Sequence, residues 1–278
     1  MSFLIPMTDE NNISINTQHK SNSLDIYSTT TSYYELQKIA PRLSTLKTLL
    51  SKSEYDPELN EPGQEIGYTF EELQNTVQAS TEELKLGLVK ERAFFFENKW
   101  QILSDRYERE LFSLILLCIQ SNNSIGDTSS NVFNNISLRT IYNSVSEELM
   151  NPPPLRIVRH LLRLYSSDSK KEKSDEIYEL DILKIIQFYA VNILKQNNTL
   201  RKMKLNQFMD KWNAQCPSDS RPRVSQLRGI ALKTSNGLTD EISYFPVSEL
   251  SDDIPTRFKQ LFSFQPKWTL KDIQPYLK

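Results

Sequence analysis

The side chains first to weigh for chemistry are His160, Cys118 and the carboxylate pairs Glu82-Glu83 and Asp252-Asp253. A general base must reach the proton it removes. His160 sits in Leu155-Arg156-Ile157-Val158-Arg159-His160-Leu161-Leu162, among arginines and a helical apolar stripe, so a structural histidine is the simpler reading. Cys118, in Leu114-Ile115-Leu116-Leu117-Cys118-Ile119, lies on an apolar helix, where a buried thiol is inert. The paired acids fit a helix first turn and a solvated loop. No nucleophile–base–oxyanion set emerges, and the sequence reads as a non-enzyme. Structural zinc needs about four Cys/His ligands, and His19, His160, Cys118 and Cys216 are far apart. Two isolated cysteines fit a reducing compartment better than a disulfide framework. The six glycines are scattered, without GxGxxG or GxxxxGK, so no phosphate loop is present and no cofactor is expected.

Charge carries more information. Lys+Arg 33 against Asp+Glu 35 leaves a net charge of −2, so any basic surface must be local. Residues 80–92 balance Glu82, Glu83 and Glu91 against Lys85, Lys90 and Arg92. Two of those acids sit at a helix N-terminus, where a phosphate would otherwise dock; Glu82, Glu83 and Lys85 are therefore candidates for a protein interface. Residues 221–233 hold Arg221, Arg223, Arg228 and Lys233 with no acid, a charge of +4. Residues 256–278 hold Arg257, Lys259, Lys267, Lys271 and Lys278 against Asp272, again +4. Arg221, Arg223, Arg228, Lys233, Arg257, Lys259, Lys267 and Lys271 are the candidate DNA contacts, because phosphates attract basic side chains. Arg156, Arg159 and Arg163 share one helix face; a solvated face is the simpler reading there, contact with phosphate or an acidic partner the alternative.

The elements that carry these residues follow from periodicity. Hydrophobic content of 38% with 10% aromatic is enough for a packed core. No apolar run reaches the ~18 residues of a spanning helix, and the start lacks the pattern of a signal peptide. Residues 1–32 are Asn/Ser/Thr-rich, with strand fragments at Phe3–Ile5 and Leu24–Tyr27. Leu36, Ile39, Leu43, Leu46 and Leu50 form a helical face interrupted at Pro41, and 51–67 read as a linker. Thr69 with Glu72 makes a capping box, Ser80 caps a second helix, and Leu84, Leu88 and Val89 supply its inner face. Phe94-Phe95-Phe96 and Trp100–Leu103 then form a hairpin around Glu97-Asn98-Lys99. Helix, helix, hairpin is the signature of a winged helix. Helices follow at about 105–121, 137–149, 154–166 and 180–196. Short helices at 205–212 and 224–229 precede strands at 230–233 and 242–245, joined by Ser235-Asn236-Gly237. Trp268–Leu277 opens a further unit. Trp100, Trp212 and Trp268 lie in amphipathic contexts and read as core residues.

The expected fold class is mainly α with short β-hairpins (α+β), as tandem winged-helix domains. The expected divisions are 1–35 as a partial β-rich segment, 36–67 as amphipathic helix and linker and 68–166 as a first winged helix with extra helices. Residues 167–254 are expected to form a second and 255–278 the start of a third. Two rival readings are a helical scaffold ending in one winged helix, as in proteasome-lid or signalosome subunits, and a winged-helix transcription regulator. The first expects helical repeats ahead of a single wing, yet a hairpin is already expected at 93–103. The second expects a compact basic domain with a dimer element.

Several stretches, in order, resemble the Dcc family ("defective in sister chromatid cohesion"). They are Tyr33-Tyr34-Glu35-Leu36 with Pro41-Arg42-Leu43, Leu46-Lys47-Thr48-Leu49-Leu50, Gln78-Ala79-Ser80-Thr81-Glu82-Glu83-Leu84 and Gln226-Leu227-Arg228-Gly229-Ile230-Ala231-Leu232. Most specific is the closing stretch from Arg257-Phe258-Lys259-Gln260-Leu261-Phe262 through Trp268, Asp272 and Ile273 to Pro275-Tyr276-Leu277. The resemblance implies a non-catalytic nuclear subunit of a Ctf-type alternative replication factor C. Its implied partners are the C-terminal tail of the Ctf-type ATPase subunit, the small Ctf partner, DNA polymerase epsilon, DNA and, indirectly, the sliding clamp PCNA, with no membrane. In such complexes N-terminal strands join a shared barrel, which makes Leu24, Ile26 and Tyr27 candidate interface residues. The early winged helix faces the polymerase and the later ones face DNA. Family members have a longer β-rich N-terminus and continue past the Pro-Tyr-Leu equivalent.

Overall fold

The computed structural model describes residues 2–6, 24–29, 41–60, 66–123, 132–167, 176–196, 202–217, 220–235 and 239–277, with backbone alone for 2–6, 24–29 and 123. The chain divides into two units, Met1–Pro41 and Arg42–Lys278. In the first, β1 (Ser2–Pro6) pairs antiparallel with β2 (Leu24–Thr29). Phe3 lies opposite Ser28 and Leu4 opposite Ile26, so Tyr27 is the extra residue of a bulge.

In the second unit one order of elements recurs. The first pass is α1 (Leu43–Leu50), β3 (Glu54–Tyr55), α2 (Phe70–Thr76), α3 (Thr81–Lys90), β4 (Phe94–Phe96) and β5 (Lys99–Leu103). The second is α4 (Asp105–Asn123), β6 (Ile136–Ser137), α5 (Leu138–Glu148), α6 (Leu155–Tyr165) and β7 (Ile177–Tyr178). The third is α7 (Ile182–Gln196), β8 (Lys202–Lys204), α8 (Leu205–Gln215), a 3-10 turn (Val224–Leu227), β9 (Ala231–Ser235) and β10 (Asp240–Tyr244). A fourth begins with α9 (Ile254–Phe264), α10 (Leu270–Ile273) and a 3-10 turn at Gln274–Tyr276.

Strand order follows the same rule. In the third repeat it is β8-β10-β9, so the strand ahead of the second helix pairs with the last strand. In the first, β5 holds β4 on one edge; on the other it holds β3, in parallel, and Tyr68, whose N–H and C=O both bond to Trp100. In the second, β6 pairs with β7, while Ser166, just after α6, bridges to Leu180. The linker expected at 51–67 is thus partly structured. Asp56 within it is buried, accepting from the Ser104 hydroxyl at 2.6 Å and from Arg106 at 2.7 Å.

A short sequence pattern builds this repeat. Tyr68-Thr69-Phe70, Ile136-Ser137-Leu138, Met203-Lys204-Leu205 and Trp268-Thr269-Leu270 each run from strand or extended chain into the second helix. Three residues beyond each triplet stands Leu73, Ile141, Phe208 or Ile273 on the inner face. Where the middle residue is Ser or Thr it caps the helix, because its oxygen accepts one of the orphan backbone N–H groups. Thr69 accepts from the N–H of Glu72 at 3.2 Å and donates its own N–H to the Glu72 carboxylate at 2.8 Å. Ser137 accepts from Thr140 and Thr269 from Asp272. The hairpin turn of the first repeat is two residues, Glu97 and Asn98, both with positive φ, as the right-handed strand twist requires.

The cores overlap from repeat to repeat. Leu46, Leu50, Leu73, Val77, Leu84 and Leu88 fill the first. Phe94 and Leu103 of its hairpin instead join the second core, around Phe112, Ile115, Val145, Val158 and Leu162. Helix α7 has two apolar faces: Ile185 and Phe188 close the second core, and Ile186, Ala190, Ile193 and Leu194 open the third. Leu232 of β9 packs with Leu250, Leu261 and Tyr276, tying the third repeat to the fourth.

The expectation of a mainly helical chain with short hairpins is met. Two details differ. Val89 is 74% exposed, because at its place on α3 Leu84, Gly87 and Leu88 already fill the inner face. Asp253, expected in a solvated loop, is the N-cap of α9, which takes in 257–262. Ser235 ends β9; Asn236 and Gly237 lie outside the described residues.

Trp212 is fully buried and donates its indole N–H to the Ile186 carbonyl at 2.9 Å. Trp212→Ala is expected to cost about 3–5 kcal/mol through cavity and lost packing, read as a lowered urea midpoint.

Candidate nucleic-acid interface

The third repeat presents its basic residues around a short turn. Val224–Leu227 is fixed from inside by buried Leu227 and by Gln187, whose amide donates to the Gln226 carbonyl at 2.7 Å. The N–H of Arg223 donates to the Gln226 side chain at 2.6 Å, which orients the chain entering the turn. Arg221, Arg223 and Arg228 are exposed on either side of it. Arg221 has a φ of 44°, a left-handed conformation unusual for a side-chain-bearing residue. Gly229 follows with a φ of 78°; a Cβ there would meet Val247 at 3.2 Å and Pro275 at 3.4 Å. The turn is thereby held close to the fourth repeat. Lys233 is exposed on β9 and paired with Asp240 of β10 at 2.6 Å.

The fourth repeat divides its cations. Lys259, Lys267 and Lys271 are exposed. Arg257 is turned inward, donating to the Ser251 carbonyl at 2.7 Å and the Tyr276 carbonyl at 3.3 Å, with Asp252 at 3.6 Å. It holds the start of α9 to the last turn and stands apart from the outward set. Sequence reasoning counted its charge and had no signal for its direction.

In the first repeat, Glu82 and Lys85 are exposed on α3. Glu83 is a capping residue, its carboxylate accepting from the Ser80 N–H at 2.9 Å and hydroxyl at 2.8 Å. Leu24, Ile26 and Tyr27 lie in β2, and their side chains fall outside the described residues.

The chemistry-bearing residues are spent on structure. His160 donates a ring N–H to the Arg92 carbonyl, Nε2 to O 3.1 Å, and its ring lies 5.1 Å from that of Phe94. Burial, with the nearby charges of Arg92 and Arg163, pushes the imidazole down to about 4 against the pull of that hydrogen bond. Burial also raises the Cys118 thiol and pushes the Cys216 thiol up to about 11. Asp253 accepts from the N–H and hydroxyl of Thr256 at the start of α9. Among the described residues no cluster of three His, Cys, Asp or Glu is placed to hold a metal ion, and no helix is long and apolar enough to cross a membrane.

A polar joint that sequence reasoning missed connects the repeats. Arg92, in the left-handed region just past α3, pairs with Glu108 of α4 at 2.6 Å. The Tyr165 hydroxyl donates to the same carboxylate at 3.0 Å, and the Arg92 guanidinium lies 5.2 Å from the Tyr165 ring centre. Asp105 of α4 bridges to Lys195 of α7, whose ammonium also faces the Tyr244 ring. These groups line a cleft of about 310 Å³ between the first three repeats.

This is the organisation of a modular protein, built of small repeats that share cores and pair some charges across their joints while presenting others outward. The chain belongs to the family described as sister chromatid cohesion protein Dcc1, which matches residues 2–277. It is similar to the sister chromatid cohesion protein DCC1 of Danio rerio, 32% identical over 249 residues, covering 88% of this chain and 60% of that protein. The Homo sapiens protein of the same name is 30% identical over 258 residues, 91% of this chain and 62% of its own length. A probable sister chromatid cohesion protein DCC1 of Dictyostelium discoideum is 28% identical over 302 residues, 98% of this chain and 77% of its own. The chain thus spans about three-fifths of the vertebrate relatives.

His160 gives a pH prediction. Its folded-state pKa lies below the ordinary 6.5, so between about pH 6.5 and 4 the unfolded chain binds a proton that the fold does not. Stability is expected to fall as pH drops through that window, and His160→Gln should flatten that part of a denaturation-midpoint curve.

Proposed function

We propose that this chain is a non-catalytic accessory subunit acting in sister chromatid cohesion, as its relatives' names indicate, within a Ctf-type replication factor C-like complex in the nucleus. The family match along residues 2–277 carries the reading. The recurring order of helix, strand, helix, helix or 3-10 turn, and one or two strands supports winged-helix modules at 43–103, 105–180 and 182–250, with the beginning of another at 254–277. The division differs from pattern-based boundaries, which joined the first two modules and set α1 aside.

In this proposal the N-terminal strands, with Leu24, Ile26 and Tyr27, meet the small Ctf partner and the C-terminal tail of the ATPase subunit. Helix α3 faces protein, DNA polymerase epsilon, because its outer surface pairs Glu82 and Lys85 with exposed Leu86 and Val89. Arg221, Arg223, Arg228, Lys233, Lys259, Lys267 and Lys271 face DNA, where released counterions supply affinity without sequence preference. PCNA is reached through the complex.

Pull-down of the chain with both Ctf partners of the same organism, followed by mass spectrometry, should recover a ternary complex; failure to form it overturns the assignment. The division of labour is tested separately. R223E/R228E is expected to weaken duplex binding about tenfold or more at moderate salt and to lower its salt dependence. K85E/K90E should leave both nearly unchanged in a fluorescence-anisotropy titration; equal losses would refute the division.

A further inference from the structure

Helix α7 presents a further face beside the two apolar ones that serve the second and third cores. Lys184, Gln187, Phe188, Val191, Asn192 and Lys195 recur at helical spacing along it and floor the cleft between the first three repeats. One wall is α4, through Asp105, Glu108 and Arg109; the other is the chain leaving β10, through Tyr244, Pro246 and Ser248. From Lys184 to Lys195 the floor is about 16 Å long, the length of about five residues of extended chain. The cleft is thus a trough rather than a round pocket.

Its lining is charged beyond its own needs. Arg92, Arg109, Lys184 and Lys195 stand against two carboxylates, Asp105 and Glu108, a net charge of +2. Both carboxylates are already taken twice: Asp105 accepts from Lys195 and Arg109, and Glu108 from Arg92 and the Tyr165 hydroxyl. Arg109 makes its two bonds, to the Asp105 carbonyl and carboxylate at 3.1 Å, through Nε alone. Among the described residues its terminal nitrogens meet no acceptor.

Asn192 is a second and independent signal. Its Oδ1 is buried with no hydrogen-bond partner. Buried acceptors are almost always satisfied, so an orphan one on the floor of a cleft calls for a donor from outside the chain. Asn is also a poorer helix former than the Ala or Leu that the position would otherwise take. A bare carboxylate or a phosphodiester would answer Arg109 and leave this oxygen unpaired, because their oxygens only accept. A peptide has both groups: main-chain N–H to donate to Oδ1, main-chain carbonyl to accept from Nδ2, and acidic side chains for guanidinium and ammonium.

We propose that this trough binds an extended acidic peptide segment of a partner protein, laid along α7 with Asn192 on its backbone and with Arg109 and Lys195 on its carboxylates. The site is independent of DNA contact by the outer basic residues.

The test is a fluorescence-anisotropy titration of the full chain with fluorescein-labelled hexaglutamate, comparing wild type with N192A, R109Q and R223E/R228E. N192A and R109Q are each expected to weaken binding about tenfold, R109Q also lowering its salt dependence. R223E/R228E should change it by less than about threefold, because those arginines lie outside the trough and are screened from it. N192A removes an acceptor that the fold leaves unpaired, so its urea midpoint should match or exceed that of wild type. A wild-type chain that does not bind hexaglutamate overturns the proposal. So does binding that R223E/R228E abolishes while N192A and R109Q keep it, which would assign the peptide to the outer basic surface. A lowered midpoint in N192A with unchanged binding assigns Asn192 to the fold and overturns it as well. If N192A and R109Q keep hexaglutamate but lose a labelled single-stranded oligonucleotide, the trough takes nucleic acid and the proposal fails.

Discussion

A unit of about 65 residues buries too small a share of its surface to be comfortably stable alone, and sharing of apolar surface between neighbours is what the rest of this structure depends on. Helix α7 is the clearest case, with Ile185 and Phe188 in one core and Ile186, Ala190, Ile193 and Leu194 in the next. Phe94 and Leu103 do the same from the first hairpin, and Leu232 from the third. Each repeat supplies part of the next one's interior, so the array gains the surface-to-volume advantage of a larger domain while keeping a small building block.

Sharing fixes the spatial relation of neighbours and lets charge do two jobs. In the joints, Arg92 pairs with Glu108, which also accepts from the Tyr165 hydroxyl, and Asp105 pairs with Lys195. On the outside, the third helical element of each repeat has its own charge: balanced on α3, wholly basic on α6 and around Val224–Leu227. Arg257 shows why net charge alone is a poor guide. It belongs to a basic run, yet its guanidinium is spent on carbonyls of Ser251 and Tyr276.

Much of this was legible in the sequence. Three phenylalanines followed by Asn98 gave the first hairpin, Thr69 and Ser80 gave two caps, and the alternation of long helix with hairpin gave the repeating character. The second repeat was not legible. Its strands, Ile136–Ser137 and Ile177–Tyr178, are too short for alternation to show. Its signature was present as an aromatic or aliphatic residue, a polar residue (Ser or Thr in three of the four) and an apolar residue, starting at 68, 136, 203 and 268, about 67 residues apart. That period was readable only once one strand-to-helix junction was recognised as the unit. The joints were beyond reach, because whether a charge turns inward depends on a neighbouring repeat many residues away. Val89 failed for a related reason: helical spacing marks a stripe, and which edge of the stripe meets the core is decided by packing.

The double duty of α7 also bears on how such a gene can be edited by evolution. A cut at the boundary between the second and third repeats would strip a lid from one interior and a foundation from the other, whichever side kept the helix. Duplication or loss should therefore be tolerated only in steps that carry a whole shared helix along.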